Sequence, residues 1–425
     1  MRRPKGRGFS LVLGTILATI TLVFAPKAHA AYSYYRSITV TSTASVASGT
    51  LSNFPMLVSS TLSSWKSSGN GGHIQNLVTA PNGGTEPADL VFATSSANCT
   101  AGAYLNFETE NYVSSTGALV DWVNVPSMSM GTVIYACYDN SSITTDQSHP
   151  SSTWNSNYLA VYHLVLGNPA ISTSTFTTAS LMDSTANSNN LANNGTSVSQ
   201  DYSYRGIIPG GGAALNTLSS DSFVSYLENT STLKIPAATN ITIEAWASIF
   251  GGYDGGFDFE NTTPSQAFYD LWPFGNTMYW SYGSQRTSAV VTNYNTAWND
   301  YVMTALGNGT NESIWENGTN IVSTSVASAP TATSSDLRIG VDNGGNVWGA
   351  YTEEFRISKV VLSPSWILTE YNNEKSPDDS QGTNGFYHVG SETAMGGGAS
   401  LYGGGLVAQF VGRIFQFAGG VFQFR

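Results

Sequence analysis

Charge is what this sequence has least of. Asp, Glu, Lys and Arg together make up 10% of its 425 residues, against about 25% in an average globular protein. Basic residues are the scarcer half, 16 against 28 acidic ones. Five of the 16 (Arg2, Arg3, Lys5, Arg7 and Lys27) stand in the first thirty positions, around an apolar run from Phe9 to Phe24 that is followed by Ala28-His29-Ala30. Basic, apolar and small residues in that order follow the plan of a secretory signal. The run is shorter than the ~20 residues that span a bilayer comfortably. Residues 1–30 therefore read as a signal peptide, with a retained membrane anchor as the alternative. Cleavage after Ala30 would leave 11 basic and 28 acidic residues, a net charge of −17. Such a surface repels nucleic acid and anionic lipid headgroups. The expectation is an exported protein, secreted or on a cell surface, with no nucleic-acid partner and no membrane span after cleavage.

Histidine and cysteine are also rare. Cleavage leaves His73, His149, His163 and His388, none in a Gly-x-Ser-x-Gly or zinc-type context. His163 follows an apolar strand and reads as a packed core or rim residue. Cys99 and Cys137 are an even pair in an exported chain, which favours one disulfide; two separate buried thiols are the alternative. Helical periodicity is missing too: from Ala31 to about Pro150 no segment keeps it for more than two turns.

What is present points to sheets. Aromatics reach 12%, ample material for cores, and the polar positions are filled by Ser, Thr, Asn and Gly. That mixture suits pleated surfaces. Ile38 and Val40 alternate with Thr39 and Thr41, Phe54 to Val58 and Asp89 to Phe92 are short apolar runs, and Ala118–Val125 and Thr132–Tyr138 are strong strands. In Leu105 to Glu110, apolar and acidic residues alternate, which puts Glu108 and Glu110 on one face. Two acidic side chains on one strand face read as solvated.

The order of these pieces carries a resemblance. Tyr35-Arg-Ser-Ile-Thr-Val40, Phe54-Pro-Met-Leu-Val58, Ala88-Asp-Leu-Val-Phe92, Leu105-Asn-Phe-Glu-Thr-Glu110, Asp121-Trp-Val-Asn-Val-Pro126 and Ile134-Tyr-Ala-Cys-Tyr-Asp-Asn140 together resemble domain of unknown function 2341 over about 31–150. Cys137 and Asp139 depart from the Tyr-Tyr-Gly-Asn-like turn that usually ends its last strand. A second set resembles the laminin-G-like, concanavalin A-like jelly roll over about 158–375. It comprises Ile241-Thr-Ile-Glu-Ala-Trp246, Trp298 to Met303, Ile314-Trp-Glu-Asn-Gly318, Leu337-Arg-Ile-Gly340 and Glu354-Phe-Arg-Ile-Ser358. Here the family's usual Asp-Glu pair is Glu353-Glu354. The two resemblances imply an all-β chain: an N-terminal β-sandwich-like domain, then a jelly roll of two antiparallel sheets. A Gly/Phe-rich tail follows over 391–425, in which Gly419-Gly420 could turn a hairpin.

Three chemistries are open to such a chain. Concanavalin-type glycosidases that match the laminarinase-like pattern carry Glu, Asp and Glu at alternating positions of one strand. In Gly256-Phe-Asp-Phe-Glu260, Asp258 and Glu260 match the second and third, but Gly256 stands where the nucleophile belongs, and a retaining mechanism needs two carboxyls about 5–5.5 Å apart. No catalytic residue is assigned. Calcium is the cofactor the jelly-roll resemblance implies, through Asp183, Asn187 and Glu353, since hard cations want several oxygen ligands; turn chemistry is the alternative use of such residues. Sugar binding would use aromatic rings with nearby amides and hydroxyls, for which Trp272, Trp280 and Tyr282 are the candidates. The leading expectation is a non-catalytic binding or adhesion protein for a polysaccharide or glycoconjugate. The alternatives are a structural component of a surface layer, fibre or virion that self-assembles through the tail, and a glycosidase.

Overall fold

In a computed structural model the chain is described at residues 32–41, 46, 49–79, 84–166, 181–194, 204–209, 213–216, 226–230, 232–252, 257–260, 267–274, 276–282, 285–292, 297–325, 336–341, 348–379, 385–395, 407–410 and 413–416. The expected signal segment, residues 1–30, lies outside these residues. Nearly every element is a strand, and every strand pairing in the named sheets is antiparallel.

The first sandwich packs two sheets. One runs in the order Tyr387–Val389, Tyr34–Val40, Val133–Tyr138, Val91–Ala93, with Thr393–Ala394 also pairing with Tyr34–Val40. The other is Leu51–Thr61, Ala118–Met128, Phe107–Val113. Ile38 and Val40 are buried while Ser37 and Thr39 are only half-buried, as a two-residue period requires. They meet Phe54, Met56, Val58, Phe107, Val123 and Ile134 in one core. Cys99, on the short helix Ser96–Ala101, is disulfide-bonded to Cys137, and both belong to that core.

The chain returns to this sandwich after the jelly roll. Phe386 and Tyr387 lie in the first core, and the Tyr387 hydroxyl donates to Ser59 O and accepts from Ser59 N. The first domain is therefore not confined to 31–150. Its last strand, Thr393–Ala394, falls inside the stretch that composition assigns to the tail.

The second sandwich is the expected pair of antiparallel sheets. Its nine-stranded sheet follows the order Val165–Leu166, Ala213–Asn216, Trp348–Ser358, Ile241–Gly252, Asn299–Ala305, Glu312–Glu316, Thr319–Thr324, with two further strands at its flanks. The seven-stranded sheet ends with Phe257–Glu260, Ala267–Phe274, Thr277–Tyr282 and, as its edge, Gln285–Val290. Ile243, Tyr301, Met303, Phe355 and Ile357 from the first sheet meet Leu227, Met278, Trp280, Leu337 and Ile339 from the second.

In Ile241–Gly252, residues 241–247 are all buried. One face lines the jelly-roll core. The other, carrying Glu244 and Trp246, is covered by the helix Pro364–Lys375, where Glu374 meets Trp246. Ser363 caps that helix by accepting from Trp366 N, and Pro364 opens it, a standard start. The same helix touches the first sandwich: Asn373 exchanges two hydrogen bonds with the Leu57 backbone, and Trp366 packs on Phe54. Outward faces of the two sandwiches thus meet, with the helix beside them.

In the tail, Val407–Phe410 pairs with Arg413–Gln416. The Gly419-Gly420 turn expected from the sequence lies outside the described residues.

Candidate functional site

Ordinarily the outward face of a sandwich strand is wet, and Glu108 and Glu110 were expected there. Both are buried, at 8% and 3% exposure, because the jelly roll covers that face. Instead of facing solvent, both carboxyls belong to a buried cluster of charged groups.

Two β-bulges bring the groups together. Phe107–Val113 pairs with Ala118–Met128 through a register shift between Thr109 and Asn111, which leaves Glu110 as the extra residue. Trp348–Ser358 pairs with Ile241–Gly252 through a shift between Glu244 and Trp246, so three steps on one strand match two on the other. Glu354 sits in that shift at φ 53°, a left-handed position for a non-glycine residue. Bulges re-aim side chains. Here consecutive Glu353 and Glu354 are both buried, at 0% and 1%, while Phe355 still reaches the core.

His163 stands between the bulges. Its Nδ1 lies 3.0 Å from both Glu354 carboxylate oxygens and 3.6 Å from Glu110 Oε2, and its Nε2 lies 3.3 Å from Glu108 Oε2. Trp122 donates its indole N–H to Glu110 Oε2 at 2.8 Å, and Trp154 donates to Glu108 Oε2 at 2.7 Å. Arg356 holds the other half. Its guanidinium reaches Glu374 at 2.7 Å, Glu354 at 3.0 Å and Glu244 at 3.3 Å, with Glu370 at 3.9 Å. It also lies over the Trp122 ring, 4.6 Å from the centroid, where the ring's quadrupole attracts a cation.

Six carboxyl groups therefore share two cations in a nearly dry joint, and they cannot all ionise. Burial, and then Glu354, push Glu110 up to about 8. Burial pushes Glu374 up to about 7 against the pull of Arg356. Burial, then Glu110 and Glu354, hold Glu353 well above the usual carboxyl range. Burial would also raise Glu108, but His163 and three side-chain hydrogen bonds outweigh it and bring that carboxyl below its usual value. For His163, burial opposes the charge, while Glu354 and Glu108 win and keep the imidazole protonated well above its ordinary pKa.

Atoms of Glu110, His163 and Glu354 lie within 4.8 Å of one another, but their contacts describe a proton network rather than a metal centre. The Glu110 oxygen nearest the imidazole already accepts from Trp122, and Glu354 Oε2 already pairs with Arg356. A divalent cation would have to displace those donors and sit beside a guanidinium.

The residues expected to hold calcium have protein hydrogen-bond partners in the structure. Asp183 Oδ1 accepts from the Val161 and Thr185 backbone, and Oδ2 from Asn189 N and the Thr185 hydroxyl. Asn187 spends its amide on the Tyr158 and Leu159 carbonyls. Glu353 accepts from Ile207 N. Asp183 thus accepts hydrogen bonds across the turn from Thr185 to Asn189.

Trp280, expected to meet a sugar, is fully buried in the jelly-roll core. Its strand alternates: Met278 and Trp280 point inward, so Thr277 and Tyr279 face out. Tyr279 pairs with exposed Ser288, and Thr277 with Val290, which is 64% exposed. Trp272 is the pairing partner of Tyr279 on the next strand; the side chains of Trp272, Tyr282, Asp258 and Glu260 lie outside what the structure describes. Tyr279 was not among the sequence candidates Trp272, Trp280 and Tyr282. The signal was available, since bulky Met278 and Trp280 fix the parity of that strand.

No family model matches the chain, and no curated protein does. Among solved structures it is similar to the binding domain of botulinum neurotoxin DC in complex with SialylT, at 14% identity and TM-score 0.39, over 51% of this chain and 52% of that one. It is also similar to the botulinum neurotoxin serotype G binding domain, at 12% identity and TM-score 0.37, over 51% and 50%. The chain spans about half the length of the structures it matches, and likeness this low carries no argument about ligand or partner.

Proposed function

We propose that this is an exported, non-catalytic binding protein whose jelly roll recognises a carbohydrate or glycoconjugate on the outward face of its seven-stranded sheet. The observation that carries the reading is the cross-strand patch of Thr277, Tyr279, Ser288 and Val290 at that sheet's edge. An aromatic ring, hydroxyls and an exposed apolar side chain on a flat sheet match the alternating apolar faces and polar edges of a pyranose. The buried joint supports a holder rather than a catalyst, because Glu108 and Glu110 are committed to His163, Trp122 and Trp154. Export rests on the basic, apolar and small-residue order of positions 1–30.

A glycan array probed with the full chain tests this. Discrete glycans are expected to bind, and Tyr279→Ala is expected to weaken them about tenfold, roughly 1.4 kcal/mol, without changing the melting temperature. Blank arrays, or binding that Tyr279→Ala leaves intact, would overturn the reading.

A further inference from the structure

The joint between the sandwiches has more acid than its cations can neutralise, and among the described residues its counter-ions, His163 and Arg356, both come from the jelly roll's strands or the residue that follows one. Glu110 belongs to the first sandwich and Glu354 to the second, and both bear on one imidazole. Whether the two outward faces can stay pressed together then depends on how many protons the joint holds. Separating them would hydrate the carboxylates, the natural response of a buried charge that loses its proton.

We propose that the Glu110–His163–Glu354 contact is a pH-responsive latch that holds the two sandwiches together in neutral and mildly acidic solution and loosens them in alkali. The group that acts is Glu110. It is faced by Glu108 on its own strand, Asp121 on the neighbouring strand, and His163, Glu353 and Glu354 from the jelly roll. Only one of these five is a cation, so an ionised Glu110 adds a charge where negative ones already meet. As a neutral acid it keeps the acceptor oxygen that Trp122 needs. Its proton leaves at about 8 in the closed joint but in the ordinary carboxyl range, roughly 4.3, once hydrated, so the latch weakens progressively as pH rises between the two, and this contribution is gone above about 8. Glu374, centred at about 7 beside Arg356, moves the joint in the same direction.

Hydrogen exchange on the full chain at pH 6 and pH 9, corrected for the intrinsic exchange rate, tests the latch. Protection of Phe107–Val113 and Trp348–Ser358 is expected to fall about tenfold or more in alkali. Protection of Asn299–Ala305 and Val133–Tyr138, inside the two cores, is expected to stay. Glu110→Gln mimics the neutral acid and should cut the fall to less than about threefold. An equal fall in the variant, a loss spread evenly over both cores, or no loss at all would each overturn the proposal. Should Glu110→Gln fail to fold, the wild-type exchange map still decides: loss confined to the joint supports the latch, and any other pattern sinks it.

Discussion

Arg356 shows what a single residue carries in this molecule. Its guanidinium is 2% exposed, stacks on Trp122 and pairs with carboxylates from two strands and a helix. Removing one partner of a buried ion pair costs about 3–5 kcal/mol, because the remaining charges stay buried and uncompensated. Arg356→Met keeps much of the volume, so the cost should be electrostatic. The penalty should also depend on pH with a definite sign. Burial already raises Glu244, Glu370 and Glu374 against the pull of Arg356; without the cation they would bind protons still more tightly in the folded state than in the unfolded one, so stability falls as pH rises. Urea melts are expected to show a loss of about 3–5 kcal/mol at pH 7.5 and a smaller one at pH 5. A loss that is the same at both values would mean the residue acts by packing alone.

At the scale of elements, the loop around Asp183 shows how one sequence pattern serves two chemistries. Aspartate and asparagine at close spacing resemble a calcium loop, yet four hydrogen bonds saturate Asp183. Two of those donors, Val161 N and Asn189 N, lie in different segments, so the carboxylate ties the strand before His163 to its loop. Asp183→Asn would convert an acceptor-only group into one with two donors, and a cost of about 1–3 kcal/mol is expected. Added calcium or EDTA should leave the wild-type melting temperature unchanged; a calcium-dependent rise would show that the loop rearranges around an ion.

The same comparison shows what the sequence could disclose. The strands were legible because alternation is a local property: Ile38 and Val40, or Ile241 and Ile243, fix their own parity whatever they pack against. The pairing of Cys99 with Cys137 was legible as the favoured of two readings, from their even number and the export expected of the chain. The joint was not. Glu108 and Glu110 alternate with apolar neighbours identically whether the far side is water or a second domain, and a bulge at Glu110 or Glu354 leaves no local trace. A faint signal existed in Trp122, which places an indole two residues from Val120 on the face opposite the core of its own sandwich, where a solvated strand would carry polar groups.

For the whole molecule, the route of the chain matters most. It builds most of the first sandwich, then the jelly roll, and comes back to lay Tyr387–Val389 and Thr393–Ala394 against Tyr34–Val40. Contacts that close this circuit are long-range and specific: Tyr387 to the Ser59 backbone, Arg36 to the Gly390 carbonyl, and Tyr138 to Glu392. Removing the returning segment would uncover the edge of Tyr34–Val40 and leave the space of Phe386 and Tyr387 empty in the core. Burying one such aromatic is worth about 3–5 kcal/mol by the cost of its truncation, a large share of the roughly 5–15 kcal/mol that holds a domain together. A chain ending at Lys375 should therefore lose the first sandwich while one ending at Met395 keeps it. Limited proteolysis would read the difference, with cuts expected between Tyr34 and Tyr138 only in the shorter chain. Equal resistance in both would mean that the first sandwich folds without its returning strands. The latch would then join two independent domains, rather than two parts of a circuit that the chain has already closed.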